Sequence, residues 1–247
     1  MSASLKRLRI FAGPNGSGKT SLYSTFESKY NPGVFVNADE IELKLRKNRF
    51  VDFSEYGFQI DVIDLSLFNK TKAARSLKQK VKKSSYIIDV EVKQGMIVNL
   101  SGETNGYEAA YVAAFIRWKL MNLNKSFSYE TVMSHRSKID EIQLANKLGY
   151  RTYLYFICTD DPLINIDRVK NRIAKGGHPV SNEKIEARFH LTLKILPRAI
   201  QKVSRAFLFD NSGKNMRLIA ETYQNQLQLK SDELPNWFTK NVLKDYL

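Results

Sequence analysis

Cysteine is nearly absent: the 247-residue chain has one, Cys158, set in an apolar run. A lone thiol excludes a disulfide framework and points to a reducing compartment. Long apolar runs are missing as well. No stretch reaches the ~20 residues a membrane helix needs, and the N-terminus lacks the apolar core of a signal peptide. A soluble, cytoplasmic chain is the expectation. No internal repeat, low-complexity tract or Pro/Gly/Ser-rich linker divides the sequence. Acid is in deficit, with 25 Asp and Glu against 39 Lys and Arg, a net charge of +14. That excess favours anionic partners: nucleotides, phosphosugars, nucleic acid or an acidic protein. The remainder is ordinary. At 43% hydrophobic and 26% charged residues the chain can bury a sizeable core in one large α/β domain or two small ones.

The sharpest local signal lies near the N-terminus. Leu8 to Ala12 is a short apolar run that reads as a buried strand. It leads into Gly13-Pro14-Asn15-Gly16-Ser17-Gly18-Lys19-Thr20, which matches G-x-x-x-x-G-K-(S/T) at every fixed position, and Ser21 opens a segment with Leu22 and Phe26 at helical spacing. Strand, glycine turn and helix start are the context a phosphate-binding loop requires. The glycines let successive N–H groups point inward, and the helix N-terminus adds the positive end of its dipole. Lys19 would reach the β and γ phosphates of a nucleotide, and the Thr20 hydroxyl would hold Mg²⁺.

Asn31-Pro32-Gly33 then marks a turn, and Val34 to Val36 a short strand ending at Asn37-Ala38-Asp39-Glu40. Asp39 and Glu40 fall where a helix would start, which suits capping; Asp39 also falls at the carboxyl end of a strand, where open parallel sheets bind ligands. A helix is expected over 61–83, carrying seven lysines and arginines from Lys70 to Lys83 and no acid there. This basic run reads as a solvated face more than a nucleic-acid site, because no aromatics interleave with it. Tyr86 to Asp89 looks like a second nucleotide motif, an apolar strand ending in a metal-binding Asp, but Val90-Glu91-Val92 continues the strand pattern past it. Residues 107–122 form an apolar helix in which Arg117 either snorkels or faces a site.

Ser126 to Thr131 reads as a strand ending in Glu130-Thr131, and Ser134 as the cap of the next helix. Tyr150 to Thr159 is the most strand-like segment. Asp161 as cap and Pro162 at the first helical position begin another helix, with Arg168, Arg172 and Lys175 on one basic face. Gly176-Gly177-His178 interrupts it as a hinge-like lid element, a helix holding Arg188 spans 182–201, and Arg205 to Asp210 is a last strand. Strands and helices thus alternate as in a doubly wound, three-layer α/β/α domain with about five mainly parallel strands, a 50–105 insert on the acceptor side, and C-terminal helices over 213–247.

Ala12 to Thr20 resembles the start of zeta-toxin-like kinases. So do Asn37 to Glu40, Phe127 to Thr131, the Arg168-Val169, Arg172 and Gly176-Gly177-His178 segment, and Phe209-Asp210-Asn211-Ser212. The resemblance covers residues 8 to about 212 and leaves out 50–105. It implies a P-loop kinase using ATP and Mg²⁺ to phosphorylate a small-molecule hydroxyl, which in the family's toxins belongs to a UDP-activated amino sugar. It also implies that Asp39 is the catalytic base, that Arg168 and Arg172 clamp the moving charge beside Lys19, and that Glu130 and Thr131 form a substrate- or metal-side pair; Asn37 and Arg117 are further candidates to face the acceptor. Glu130 would also serve the metal through water, although the family's toxins read Glu-Gly-Thr where this chain has Glu130-Thr131. An antitoxin partner belongs to the same implication. Two other readings stay open: a kinase of nucleotides, cofactors or polynucleotide ends, and a nucleotide-binding regulatory switch hydrolysing ATP or GTP.

Overall fold

The computed structural model describes residues 5–82, 85–101, 104–176 and 179–246. The chain forms two compact units, one from Met1–Pro32 with Ser128–Leu247 and one from Gly33–Phe127. Gly177 and His178 of the expected lid, and Lys83 of the basic run, lie outside the described residues. Among the described residues no helix is long and apolar enough to cross a membrane.

The chain begins with β1 (Arg7–Ala12) and α1 (Lys19–Glu27) in the first unit. The second unit then contributes β2 (Val34–Val36), α2 (Ala38–Asn48), β3 (Phe50–Asp52), α3 (Val62–Asn69), α4 (Lys72–Lys82), β4 (Val90–Lys93), β5 (Met96–Asn99) and α5 (Gly106–Asn122). Return to the first unit brings β6 (Phe127–Thr131), α6 (Ser137–Lys147), β7 (Arg151–Cys158), α7 (Pro162–Ala174) and α8 (Asn182–Ile200). The last elements are β8 (Arg205–Asp210), β9 (Arg217–Tyr223), β10 (Gln226–Leu229) and α9 (Asn236–Asn241).

The first unit is built on a sheet in the order β10-β9-β8-β7-β1-β6. β1 pairs with β7 and β7 with β8 in parallel, whereas β9 and β10 add antiparallel to the edge. Central parallel strands are covered on both faces, so they read as near-continuous apolar runs. Leu8, Ile10, Phe11 and Ala12 are buried accordingly, as are Leu154, Phe156, Ile157 and Cys158. Phe11, Tyr155 and Phe207 are direct cross-strand partners and stack in a row, with ring centroids 4.9 and 5.0 Å apart. Such pairs add to the area they bury. Burial in this row pushes the Tyr155 hydroxyl up to about 12. It also pushes the Cys158 thiol well above its usual range, which leaves that thiol as packing rather than a nucleophile.

Several expectations need correction. The 213–247 stretch is an antiparallel hairpin followed by the short α9, not a pair of helices, so the sheet extends beyond the five expected strands. The 61–83 helix is two helices. Asp61 caps α3 in a reciprocal box with Asp64, α3 ends at Asn69, and the Thr71 hydroxyl accepts from the Ala74 N–H at 3.2 Å to begin α4. Ser134 caps nothing, since α6 begins three residues later behind Arg136. Tyr86 to Asp89 is not a strand. β4 starts at Val90 in a small antiparallel sheet ordered β3-β5-β4, which removes the context for a second nucleotide motif. In that unit Phe53, Phe68 and Phe115 form an aromatic core beneath α5, with Tyr111 and Trp118 against it.

The hairpin and α9 are tied down by Asp210, the buried last residue of β8. Its Oδ1 accepts from the Trp237 indole N–H at 3.1 Å and from the Ser212 hydroxyl at 2.7 Å. Asp210→Ala strands the buried indole donor, and a loss of about 2 kcal/mol is expected. Thermal unfolding monitored at Trp237 should show a clearly lowered Tm, whereas an unchanged Tm would remove Asp210 from this role.

Candidate active site

The loop from Gly13 to Thr20 leaves the carboxyl end of β1 and turns into α1 at Lys19. Two glycines are required by close approach. Gly13 has φ +153° and a Cβ there would sit 2.0 Å from the Ile157 carbonyl oxygen; Gly16 has φ +73° and its Cβ would sit 2.6 Å from the Asn165 carbonyl oxygen. The loop is held from all sides. Gly13 N–H donates to the Thr131 carbonyl at 3.3 Å, the Asn165 amide donates to the Asn15 carbonyl at 2.6 Å, and the Asn211 amide donates to the Ser17 carbonyl at 2.8 Å. Ser17 is buried and its hydroxyl has no hydrogen-bond partner among the described residues.

These restraints leave the first amides of α1 pointing out of the helix end, with no acidic residue in its first turn to compete for them. Lys19 arcs over the loop, its ammonium donating to the Pro14 carbonyl at 2.9 Å. The cradle therefore combines backbone donors, a dipole end and one mobile cation, the donor set a polyphosphate needs. Thr20 is exposed in the first turn, and its hydroxyl donates to Glu130 Oε2 at 3.3 Å. Mg²⁺ takes one or two such protein oxygens and fills its shell with phosphate and water. No group of three or more His, Cys, Asp or Glu able to hold a metal occurs among the described residues. Thr20 and Glu130 thus fit a metal that arrives with a nucleotide, not one resident in a protein cage.

Arginines come from α7 and α8. Arg188 reaches the loop itself, with its guanidinium donating to Asn15 Oδ1 at 3.4 Å. Arg168 donates to the Gly213 carbonyl at 3.5 Å, while its other terminal nitrogen is buried without a hydrogen-bond partner among the described residues. Arg168, Asn171, Arg172, Lys175 and Gly176 line an open basic groove of about 450 Å³ along α7. Asp161 caps that helix, accepting from the Leu163 N–H at 2.8 Å, and Pro162 occupies its first turn as the sequence predicts.

The first unit therefore gathers Lys19, Thr20, Glu130 and Thr131 at one loop, with Arg168 and Arg172 on the helix whose Asn165 holds it. Thr131 acts there through its carbonyl; its hydroxyl accepts from Met133 N–H at 3.1 Å. Asn37, Asp39 and Arg117 belong to the second unit. Asn37 is the cap of α2, accepting from the Asp39 N–H at 2.9 Å. Asp39 is consequently free of the capping task, and its exposed carboxylate makes no hydrogen bond or ion pair among the described residues. Arg117 is only 7% exposed, so it does not snorkel to solvent. Sequence reasoning missed Asn165 and assigned no task to Arg188 or Asn211; all three act across more than a hundred residues of chain.

By sequence, no family model and no curated protein matches the chain. Solved structures do. The complex of AvrRxo1-ORF1 and AvrRxo1-ORF2 with sulphate ions matches with TM-score 0.60 at 15% identity, over 96% of this chain and 63% of that one. The same complex with ATP matches with TM-score 0.51 at 14% identity, over 92% and 61%. A structure from the PezAT chromosomal toxin–antitoxin system of Streptococcus pneumoniae matches with TM-score 0.52 at 12% identity, over 100% of this chain and 86% of that one. The chain spans about three fifths of the AvrRxo1-ORF1:-ORF2 chains it matches. The likeness is one of fold alone.

Asn165→Ala removes the amide that holds the Asn15 carbonyl, while Thr159 keeps a second acceptor in the Asp161 carbonyl at 3.2 Å. Losing one such bond costs about 1 to 2 kcal/mol. Titration with a fluorescent ATP analogue should show affinity lowered by about tenfold, with Tm lowered by a few degrees; wild-type affinity would contradict the clamp.

Proposed function

We propose that the chain is an ATP-dependent kinase that moves the γ-phosphoryl group to a hydroxyl of a small molecule. The observation that carries this reading is the convergence, on one glycine loop, of the Lys19 ammonium, the Thr20–Glu130 oxygen pair and the Arg188 guanidinium. A loop that only binds nucleotide needs no arginine from a following helix, whereas phosphoryl transfer spreads charge over three equatorial oxygens and needs cations around them. Neighbouring folds are consistent with this, one of them in a complex with ATP.

In the proposed reaction the acceptor oxygen attacks the γ-phosphorus, an oxygen–phosphorus bond forms, and the bond to the β–γ bridging oxygen breaks to release ADP. The acceptor proton passes to the Asp39 carboxylate, which no cap or salt bridge engages among the described residues. Loop amides and Lys19 hold the β and γ phosphates, and Arg168, Arg172 and Arg188 neutralise charge on the transferring group. Thr20 and Glu130 would hold Mg²⁺, which would supply further neutralisation of phosphate charge. A UDP-activated amino sugar is the acceptor that the zeta-toxin resemblance implies, and a protein antitoxin is the partner. The second proposal draws support from a neighbour that belongs to a toxin–antitoxin system.

The test is a panel of UDP-sugars, nucleotides and dinucleotide cofactors incubated with Mg·ATP and read as phosphorylated product by mass. Lys19→Ala should give no product. Asp39→Asn should lower kcat by about 10²- to 10⁴-fold with ATP affinity unchanged. Transfer by Asp39→Asn at the wild-type rate would contradict the base assignment, and ATP turnover indifferent to every acceptor would favour a regulatory ATPase.

A further inference from the structure

The second unit carries an exposed apolar surface that the kinase reading does not use. Val62, Ile63 and Leu67 of the eight-residue α3 are 65%, 63% and 48% exposed, although an isolated exposed aliphatic would need no explanation. Val62 lines a groove of about 480 Å³ between α3 and β4, with Leu65, Val90 and Val92 as its further apolar lining and Lys70 and Glu91 in its wall. β4 is the outer strand of its three-stranded sheet.

The groove's wall holds one base, Lys70, and one acid, Glu91, with exposed Asp61 and Asp89 next to its lining in sequence. Glu91 is paired with Lys93, Asp64 with Lys119, and Asp61 caps α3, whereas the helix that follows carries bases alone. From residue 65 to residue 82 there is no acid, while Lys70, Lys72, Arg75, Lys78, Lys80 and Lys82 are all exposed. Arg75 Nε donates to the Lys70 carbonyl at 3.2 Å, which joins the start of the basic helix to the edge of the groove. The apolar side of α4 is spent on the core through Ala74 and Val81, so this helix stands fixed with its cations outward.

We infer that the α3–β4 groove, with the basic face of α4 as its rim, docks an acidic amphipathic helix of a partner protein. Eight helical residues span about 12 Å, matching roughly two turns of a docked helix whose apolar anchors recur at i, i+3 and i+7. Acids flanking those anchors meet Lys70 and Arg75, which fixes orientation and excludes basic partners. A second copy of this chain would bring like-charged rims together. A polynucleotide would find no exposed ring on α3 or α4 for its bases, since Phe68 is fully buried. A bilayer would not fill a concave groove, and α4 has no free apolar face to insert.

The test uses the full chain and needs neither nucleotide nor acceptor, so its failure is separate from any failure of the kinase reading. Four probes are compared by fluorescence anisotropy or co-sedimentation: a labelled helical peptide of about 18 residues with leucine anchors and glutamate flanks, its lysine-flanked twin, a short oligouridylate, and phosphatidylserine vesicles. The glutamate-flanked peptide should bind at least about tenfold more tightly than its twin and weaken as salt rises. Val62→Asp should weaken it by about tenfold, and the double variant Lys70→Glu with Arg75→Glu should reverse the preference toward the lysine-flanked twin. All three substituted residues are exposed, and an unchanged Tm checks that the variants remain folded. Equal binding of the two peptides, no binding of either, or tighter binding of oligouridylate or vesicles that the same variants abolish would each overturn the inference.

Discussion

Close backbone contact at the glycine loop over residues 13–20 is the constraint from which the rest follows. The chain passes the carbonyls of Ile157 and Asn165 so closely that a single methyl group at Gly13 or Gly16 would collide with them. Ile157 lies on β7 and Asn165 on α7, so the loop is moulded by the next parallel strand and by the helix that leaves it. β1 and β7 are paired in register through Ala12 and Phe156, which makes both strands end at the same edge of the sheet. That is the edge at which open parallel sheets bind ligands. The aromatic row of Phe11, Tyr155 and Phe207 fixes the same two strands from below the site.

The clamp has a consequence for chemistry. Asn165 is fully buried and bound to the loop, and Arg168 stands one turn further along the same helix. A rigid helix converts the position of the loop into the position of the arginine, without contact between them. Asn211 does the same from β8, because it follows Asp210, which is itself fixed by Trp237. The surroundings of the loop are thus distributed over several strands and helices tied together by part-buried polar contacts. Cations placed this way would be preorganised, as the phosphoryl transfer proposed above requires.

Much of this was legible in the residues. The glycine loop between β1 and α1 declared itself through fixed spacing, and α7 through Asp161 and Pro162, because both depend on local backbone chemistry. The break between α3 and α4 was not legible, since helical propensity runs unbroken across it and only the Thr71 side chain starts the second helix. The terminal hairpin escaped for a related reason. Its turn is made by Gln224 and Asn225, which take φ of +51° and +63° without the glycine that normally announces such a turn. Asn165, Arg188 and Asn211 were unreadable as loop contacts because their partners are 150, 173 and 194 residues away. Asp39 was ambiguous between cap and base in the sequence; the cap proves to be Asn37.

The central claim is that residues 13–20 hold a nucleoside triphosphate with its metal. Isothermal titration of Mg·ATP into the full chain tests it most directly. Saturable binding at one site per chain is expected, weakened when magnesium is withheld. An absence of binding heat and of competition by a fluorescent ATP analogue would contradict it.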